Sequence, residues 1–122
     1  MADGKAQELF EEGGRLLQEG KYEEALNTYD KALAIYPNDA LVWGNRGAAL
    51  AYMRRYQEAV ECYDKALAIN PNDAVTWSNR GDALGNMRRY QEAVESCDKA
   101  LAINPNLAFA LYNRGNALIP IG

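Results

Sequence analysis

The 122-residue sequence contains no histidine, only two cysteines and no long apolar run. With two distant thiols and no imidazole, the chain lacks the four ligands of a structural zinc site, so we expect neither a metal nor a cofactor. No apolar stretch approaches the roughly 20 residues that span a bilayer, so no membrane association is expected. The formal charge is −4 and the basic residues are scattered, which argues against nucleic acid as a partner.

Other absences concern catalysis and location. The chain has no glycine-rich phosphate loop and no paired thiols, and its carboxylates are expected to be solvated on helix faces. We therefore predict no enzymatic activity. The charged N-terminal sequence does not resemble a signal peptide, so a cytoplasmic location is predicted. Cys62 and Cys97 are expected to be free, partly buried thiols.

The sequence does contain a 34-residue repeat. Residues 40–73 and 74–107 are identical at 25 of 34 positions. A further copy covers residues 6–39, and a partial copy begins at residue 108 and runs to residue 122. A period of this size predicts a solenoid, because one unit cannot bury its own apolar face. Residues 1–122 are therefore expected to form a single array.

Within each copy, the apolar spacing predicts a helix, a turn and a second helix. Trp43, Gly47 and Leu50 are separated by four and three residues, as on one helical face. No segment has the alternation of a strand, so the predicted fold class is all-α with about seven helices. Gly20 suits a left-handed turn, but Arg54 and Arg88 occupy its position in the later copies, where a positive φ costs about 1 kcal/mol.

These spacings resemble those of the tetratricopeptide repeat. The second copy places the small and large residues of that family at the family's intervals: Ala40, Trp43, Gly47, Leu50, Ala59, Tyr63, Ala66 and Pro71. The resemblance implies a right-handed superhelix of antiparallel helix pairs. It also implies a scaffold that binds a protein or peptide partner in its concave groove.

The resemblance assigns packing roles to several positions. Gly47, Gly81 and Gly115 are expected to let two helices approach closely. Cys97 stands where Tyr63 stands one repeat earlier, so looser packing is expected there, at a cost on the order of 1–3 kcal/mol.

A recurrent Asn-Arg-Gly triplet adds two hypotheses. Each arginine follows an aspartate by 16 residues, which predicts an inter-repeat ladder of three pairs: Asp30–Arg46, Asp64–Arg80 and Asp98–Arg114. The alternative is that these charges are simply solvated. The asparagines Asn45, Asn79 and Asn113 lie about 200° round the helix from the large apolar residue of each copy, toward the concave groove of such a superhelix.

An amide side chain can accept from one peptide N–H and donate to one peptide C=O. The three asparagines are thus similar to the ladder by which the tetratricopeptide domain of O-GlcNAc transferase holds peptide backbones. The alternative is that they are polar residues of an exposed face without a ligand. The other predicted groove residues are Phe10, Tyr52, Asp82 and Asn86.

The carboxylate clamp of chaperone-binding family members is not expected here. That clamp needs basic residues and asparagines at five groove positions. The matching residues are Phe10, Gly14, Asn45, Val75 and Asn79, of which only Asn45 fits.

The fourth copy is strongly apolar, although terminal repeats usually carry a polar outer face. Its residues predict a self-association surface made of Phe109, Leu111, Leu118, Ile119 and Ile121. Either the chain is part of a longer array or this flank makes it a homo-oligomer. A self-assembly unit is therefore the alternative function, and an engineered origin stays open as well.

Overall fold

The structure is a computed structural model that describes the backbone of residues 2–119 and the side chains of residues 4–119. Every regular element in this part of the chain is an α-helix, as predicted. The helices are α1 (Ala2–Gln18), α2 (Tyr22–Ile35), α3 (Ala40–Tyr52), α4 (Tyr56–Ile69), α5 (Ala74–Asn86), α6 (Tyr90–Ile103) and α7 (Ala108–Leu118).

The helices stack in chain order, and each packs against its sequence neighbours. In addition, α1 contacts α3, α3 contacts α5, and α5 contacts α7. Among the described residues, the even-numbered helices do not contact one another. The odd-numbered helices therefore lie closer together and line the inner, concave face of the solenoid.

Local signals begin and end these helices. Asp39 and Asp73 cap α3 and α5, each accepting hydrogen bonds from two backbone N–H groups of the first turn. Between the two helices of a repeat, Gly20, Arg54 and Arg88 all adopt the left-handed conformation, with φ of 77°, 62° and 62°. The expectation of positive φ at two arginines is thus confirmed.

Close helix contacts at glycine build the core. A Cβ atom on Gly47 would lie 2.7 Å from the ring of the buried Tyr63, and one on Gly81 would lie 2.6 Å from Cys97 Sγ. Gly115 is different, because no atom outside its own helix turn lies within 4 Å of its Cβ position. The predicted packing role is therefore wrong for Gly115, since no second helix faces it in the described chain.

The predicted ladder joins successive repeats. Arg46 Nε donates to Asp30 and Arg80 Nε donates to Asp64, each at 2.7 Å, and Arg114 pairs with Asp98 in the same way. A second guanidinium nitrogen of Arg80, Nη1, donates to Ser96 Oγ of the following helix. Each such arginine therefore connects one repeat to the next.

Both cysteines are free, and they are fully rather than partly buried. Burial raises the pKa of the Cys62 thiol, and burial raises the pKa of Cys97 to about 11. Both side chains therefore act as small apolar residues in the core.

Candidate functional site

The concave face carries a cleft between α3 and α5, of about 330 Å³, which we call the aromatic cleft. Four of its eight lining residues are aromatic. Its lining residues are Ala48, Ala51, Tyr52, Tyr56, Tyr63, Asn79, Asp82 and Phe109. Phe109 reaches the cleft from α7 and Tyr56 from the start of α4, so four helices contribute. Such a wall offers contact area to an apolar side chain of a ligand.

A second cleft, of about 150 Å³, lies between α5 and α7, and we call it the polar cleft. Carboxylate, amide and glycine positions dominate its lining. Its lining residues are Gly81, Asp82, Gly85, Asn86, Tyr90, Asn113, Asn116 and Ala117. Asp82 belongs to both clefts, so the two adjoin along the concave face.

The two clefts occupy equivalent places in successive repeats. A shift of 34 residues converts most of one lining into the other: Ala48 becomes Asp82, Tyr52 becomes Asn86, and Asn79 becomes Asn113. Tyr63 contributes to the wall of the aromatic cleft, whereas its equivalent Cys97 does not line the polar cleft. The same backbone geometry therefore holds two chemically different sites.

Asp82 is the charged residue of both linings, and no lysine or arginine lines either cleft. Within residues 4–119, no basic side chain forms an ion pair with it. The walls of the groove desolvate its carboxyl group and raise its pKa, although the side chain remains exposed. The centre of the groove is therefore an uncompensated negative charge between aromatic and amide groups.

Neither a metal centre nor a membrane segment is evident in the described part of the chain. No group of three potential ligand side chains occurs among these residues. Likewise, none of the helices from α1 to α7 is both long and apolar enough to cross a bilayer.

Comparison with known families agrees with this repeated geometry. A model of the tetratricopeptide repeat matches residues 40–73 and 74–107, and a second model, described as TPR repeat, matches residues 13–53. The chain belongs to the tetratricopeptide repeat family. No curated protein matches the sequence at a significant level.

Solved tetratricopeptide repeat (TPR) domains share the fold over nearly the whole chain. The first TPR of Spaghetti (RPAP3), bound to the HSP90 peptide SRMEEVD, is 26% identical, with a TM-score of 0.92 over 95% of this chain and 92% of that one. The second TPR domain of human RPAP3, in complex with the HSP70 peptide SGPTIEEVD, is 23% identical, with a TM-score of 0.93 over 98% and 99%. The TPR2B domain of yeast Sti1, in its pHsp70 complex, is 24% identical, with a TM-score of 0.89 over 93% and 96%.

The tetratricopeptide array brings five of the seven predicted groove residues together. Tyr52, Asn79 and Asp82 line the aromatic cleft, and Asp82, Asn86 and Asn113 line the polar cleft. Phe10 and Asn45 line neither. Phe10 packs instead against the core of the first repeat, and Asn45 lies near the buried Tyr29 hydroxyl.

Asn113 is a correction to the predicted ladder of three equivalent amides. Its side chain is 4% exposed, and its Nδ2 donates to the Ser78 carbonyl at 3.2 Å and to Ser78 Oγ at 3.4 Å. Ser78 stands at the position of Gly44, so Asn79 has no equivalent hydroxyl to bond. Asn113 therefore ties α7 to α5, while Asn79 makes no side-chain hydrogen bond within residues 4–119.

Phe109 does not share a surface with the rest of the predicted self-association residues. It lines the aromatic cleft, whereas Leu118 lies against the start of α6 on another side of α7. Leu111, Leu118 and Ile119 are 53%, 52% and 72% exposed. Ile121 lies outside the described residues.

The lining also includes residues that were not predicted to face the groove, among them Tyr56, Tyr90 and Asn116. The two tyrosines are the first residues of α4 and α6, the second helices of their repeats. Their signal is a tyrosine that recurs every 34 residues, at 22, 56 and 90.

Proposed function

We propose that this chain is a protein-interaction module that binds an extended peptide segment of a partner in its concave groove. The observation that carries the proposal is the pair of adjoining clefts, lined by aromatic rings and by amide groups, of which Asn79 has no side-chain hydrogen bond within residues 4–119. Tyr52 is 65% exposed and Phe109 is 42% exposed, so both offer apolar area to a ligand. Binding, rather than catalysis, is the activity that this surface suits.

The amides supply the backbone contacts of the proposal. Asn79 lines the aromatic cleft and has no side-chain partner among the described residues, so it is free to accept and donate. Such contacts contribute about 0.5–1.5 kcal/mol each. Affinity therefore depends chiefly on side chains of the peptide that enter the two clefts.

The proposed ligand is not the acidic tail that occupies the similar domains of RPAP3 and Sti1. A carboxylate-rich tail would meet Asp82 without any lysine or arginine in either cleft lining. Like charges in a partly desolvated groove repel each other.

The test is a selection of random peptides displayed on phage, followed by fluorescence polarisation with the enriched sequences. Phe109→Ser should weaken binding about tenfold or more, because it removes a wall of the aromatic cleft. Leu111→Ser is the matched control, since it truncates an exposed apolar residue of the same helix that lines neither cleft. The proposal fails if no peptide is enriched, or if both variants bind as the wild type does.

We propose self-association as a second function, which the exposed Leu111, Leu118 and Ile119 favour. Light scattering behind a sizing column, over a hundredfold range of concentration, measures it directly. A mass that rises above 13.5 kDa and returns to that value in Ile119→Ser would support this role. A constant monomer would exclude it, and Phe109→Ser should leave the mass unchanged in either case.

A further inference from the structure

The polar cleft contains a charge that the fold does not neutralise. The Asp82 carboxylate has no ion-pair partner within residues 4–119, although the carboxylates of the inter-repeat ladder are each paired with an arginine. Around it stand the amides of Asn113 and Asn116 and the ring of Tyr90. Carboxylate, amide oxygen and aromatic ring are the groups that attract a cation.

We propose that the groove selects a peptide with a basic side chain, lysine or arginine, that pairs with Asp82, and with a large apolar side chain in the aromatic cleft. This inference rests on the proposed function, since it specifies what the groove binds. It also accounts for the chemical difference between two clefts that the repeat places at equivalent positions.

The size of the polar cleft agrees with such a ligand. Its volume of about 150 Å³ is well above the minimum that a single water molecule requires. That space admits an ammonium or guanidinium group with its adjoining methylenes. A cation there would replace solvent beside a partly desolvated carboxylate, where ion pairing is stronger than in open water.

The repeat also sets the spacing of the two side chains. Equivalent clefts on neighbouring repeats are separated by about the 8–10 Å between packed helix axes. An extended peptide advances about 3.3 Å per residue. The basic and the apolar residue should therefore lie about three positions apart in the peptide.

Position 97 distinguishes the wall of the polar cleft from that of the aromatic cleft. In the preceding repeat, the Tyr63 ring packs on Gly47 and forms part of the cleft wall. Cys97 packs on Gly81 in the same way but leaves Gly81 in the lining of the polar cleft. A tyrosine at position 97 should occupy part of this space without disturbing the fold, because Gly81 is already present to receive it.

The experiment uses the peptides enriched from the random phage library. We expect lysine or arginine about three residues from a large apolar residue. Asp82→Asn, which keeps the shape of the side chain, should weaken binding of such a peptide about tenfold. The same Asp82→Asn substitution should change the affinity for a control peptide, in which glutamine replaces the basic residue, by less than about twofold. Glu95→Gln is the control, because it removes the same charge from α6 at a residue that lines neither cleft.

A second variant tests the cleft rather than the charge. Cys97→Tyr should weaken binding of the basic peptide while the thermal midpoint holds or rises. If Cys97→Tyr changes neither the thermal midpoint nor the affinity for the basic peptide, the proposed role of the polar cleft is contradicted.

Other outcomes would overturn the inference. The inference fails if the enriched peptides contain no basic residue. It also fails if the affinity of Asp82→Asn for the basic peptide stays within about twofold of the wild-type affinity. If such peptides still depend on Phe109, the proposed function stands and only this inference fails. If no peptide is enriched, both fail together.

Discussion

Replacing Gly47 with alanine would place a methyl group inside a close helix contact of the second repeat. The new Cβ would lie 2.7 and 2.9 Å from two carbons of the Tyr63 ring, and 3.2 Å from the carbonyl oxygen of Ala59. Tyr63 is 2% exposed and Ala59 is fully buried, so neither can move away without disturbing the core. At the equivalent Gly115, an added Cβ meets nothing within 4 Å.

The two substitutions should therefore change stability in opposite directions. Overpacking a core costs about 1–3 kcal/mol, and alanine regains about 1 kcal/mol over glycine in a helix interior. The net effect of Gly47→Ala should be to lower the free energy of unfolding by up to about 2 kcal/mol. Gly115→Ala gains the helix propensity of alanine without an overpacking cost, so it should raise the free energy of unfolding by up to about 1 kcal/mol.

Urea unfolding followed by circular dichroism measures both variants against the wild type. Each midpoint, taken with its slope, gives the free energy of unfolding. The reasoning would be refuted if the two variants agreed to within about 0.5 kcal/mol, because intrinsic helix propensity is common to both and only the contact differs.

Three further predictions concern the turns, the ladder and the thiols. Arg54→Gly should leave the melting temperature unchanged or raise it. Glycine relieves the strain of a positive φ, about 1 kcal/mol, and this gain opposes the conformational entropy that glycine loses on folding. A clear fall in melting temperature would contradict the presence of strain at Arg54. A double-mutant cycle on Asp64 and Arg80 should give a coupling energy of about 0.5–1 kcal/mol in urea unfolding, since the aspartate is half exposed. A coupling energy of zero would mean that the ion pair does not stabilise the fold. In the folded protein at pH 8, Cys62 and Cys97 should react with Ellman's reagent far more slowly than in the urea-unfolded protein. Burial excludes the reagent, and the raised pKa values of the thiols keep the thiolate concentration low. Equal reaction rates would show that the core opens freely.

Sequence spacing was a sufficient guide wherever the cause is local. The repeat length predicts the helix pairs, and Asp73 caps α5 through backbone groups only two and three residues away. The left-handed turn at Arg54 follows from its equivalence to Gly20. The Asp64–Arg80 pair was predictable because the 16-residue separation recurs in every repeat. It always joins the second helix of one repeat to the first helix of the next.

The candidate site depended on neighbours that periodicity does not reveal. Asn79 and Asn113 occupy the same place in the repeat, yet only Asn113 bonds Ser78, because a serine replaces Gly44 one repeat later. Phe109 lines the aromatic cleft because α7 packs on α5, and not because of its own apolar pattern.

The sequence by itself therefore determined the repeat, the all-α solenoid, the left-handed turns and the inter-repeat ion pairs, since each depends on residue spacing within one or two helices. Only the tertiary structure decided which amides stay free, which apolar residues face the groove and where an unpaired carboxylate lies between two clefts. Those properties belong to side chains from three or four helices at once. Between successive repeats, the lining of the cleft differs at several positions while the helical pattern stays the same: Tyr63, for example, lines the aromatic cleft, whereas its equivalent Cys97 does not line the polar cleft.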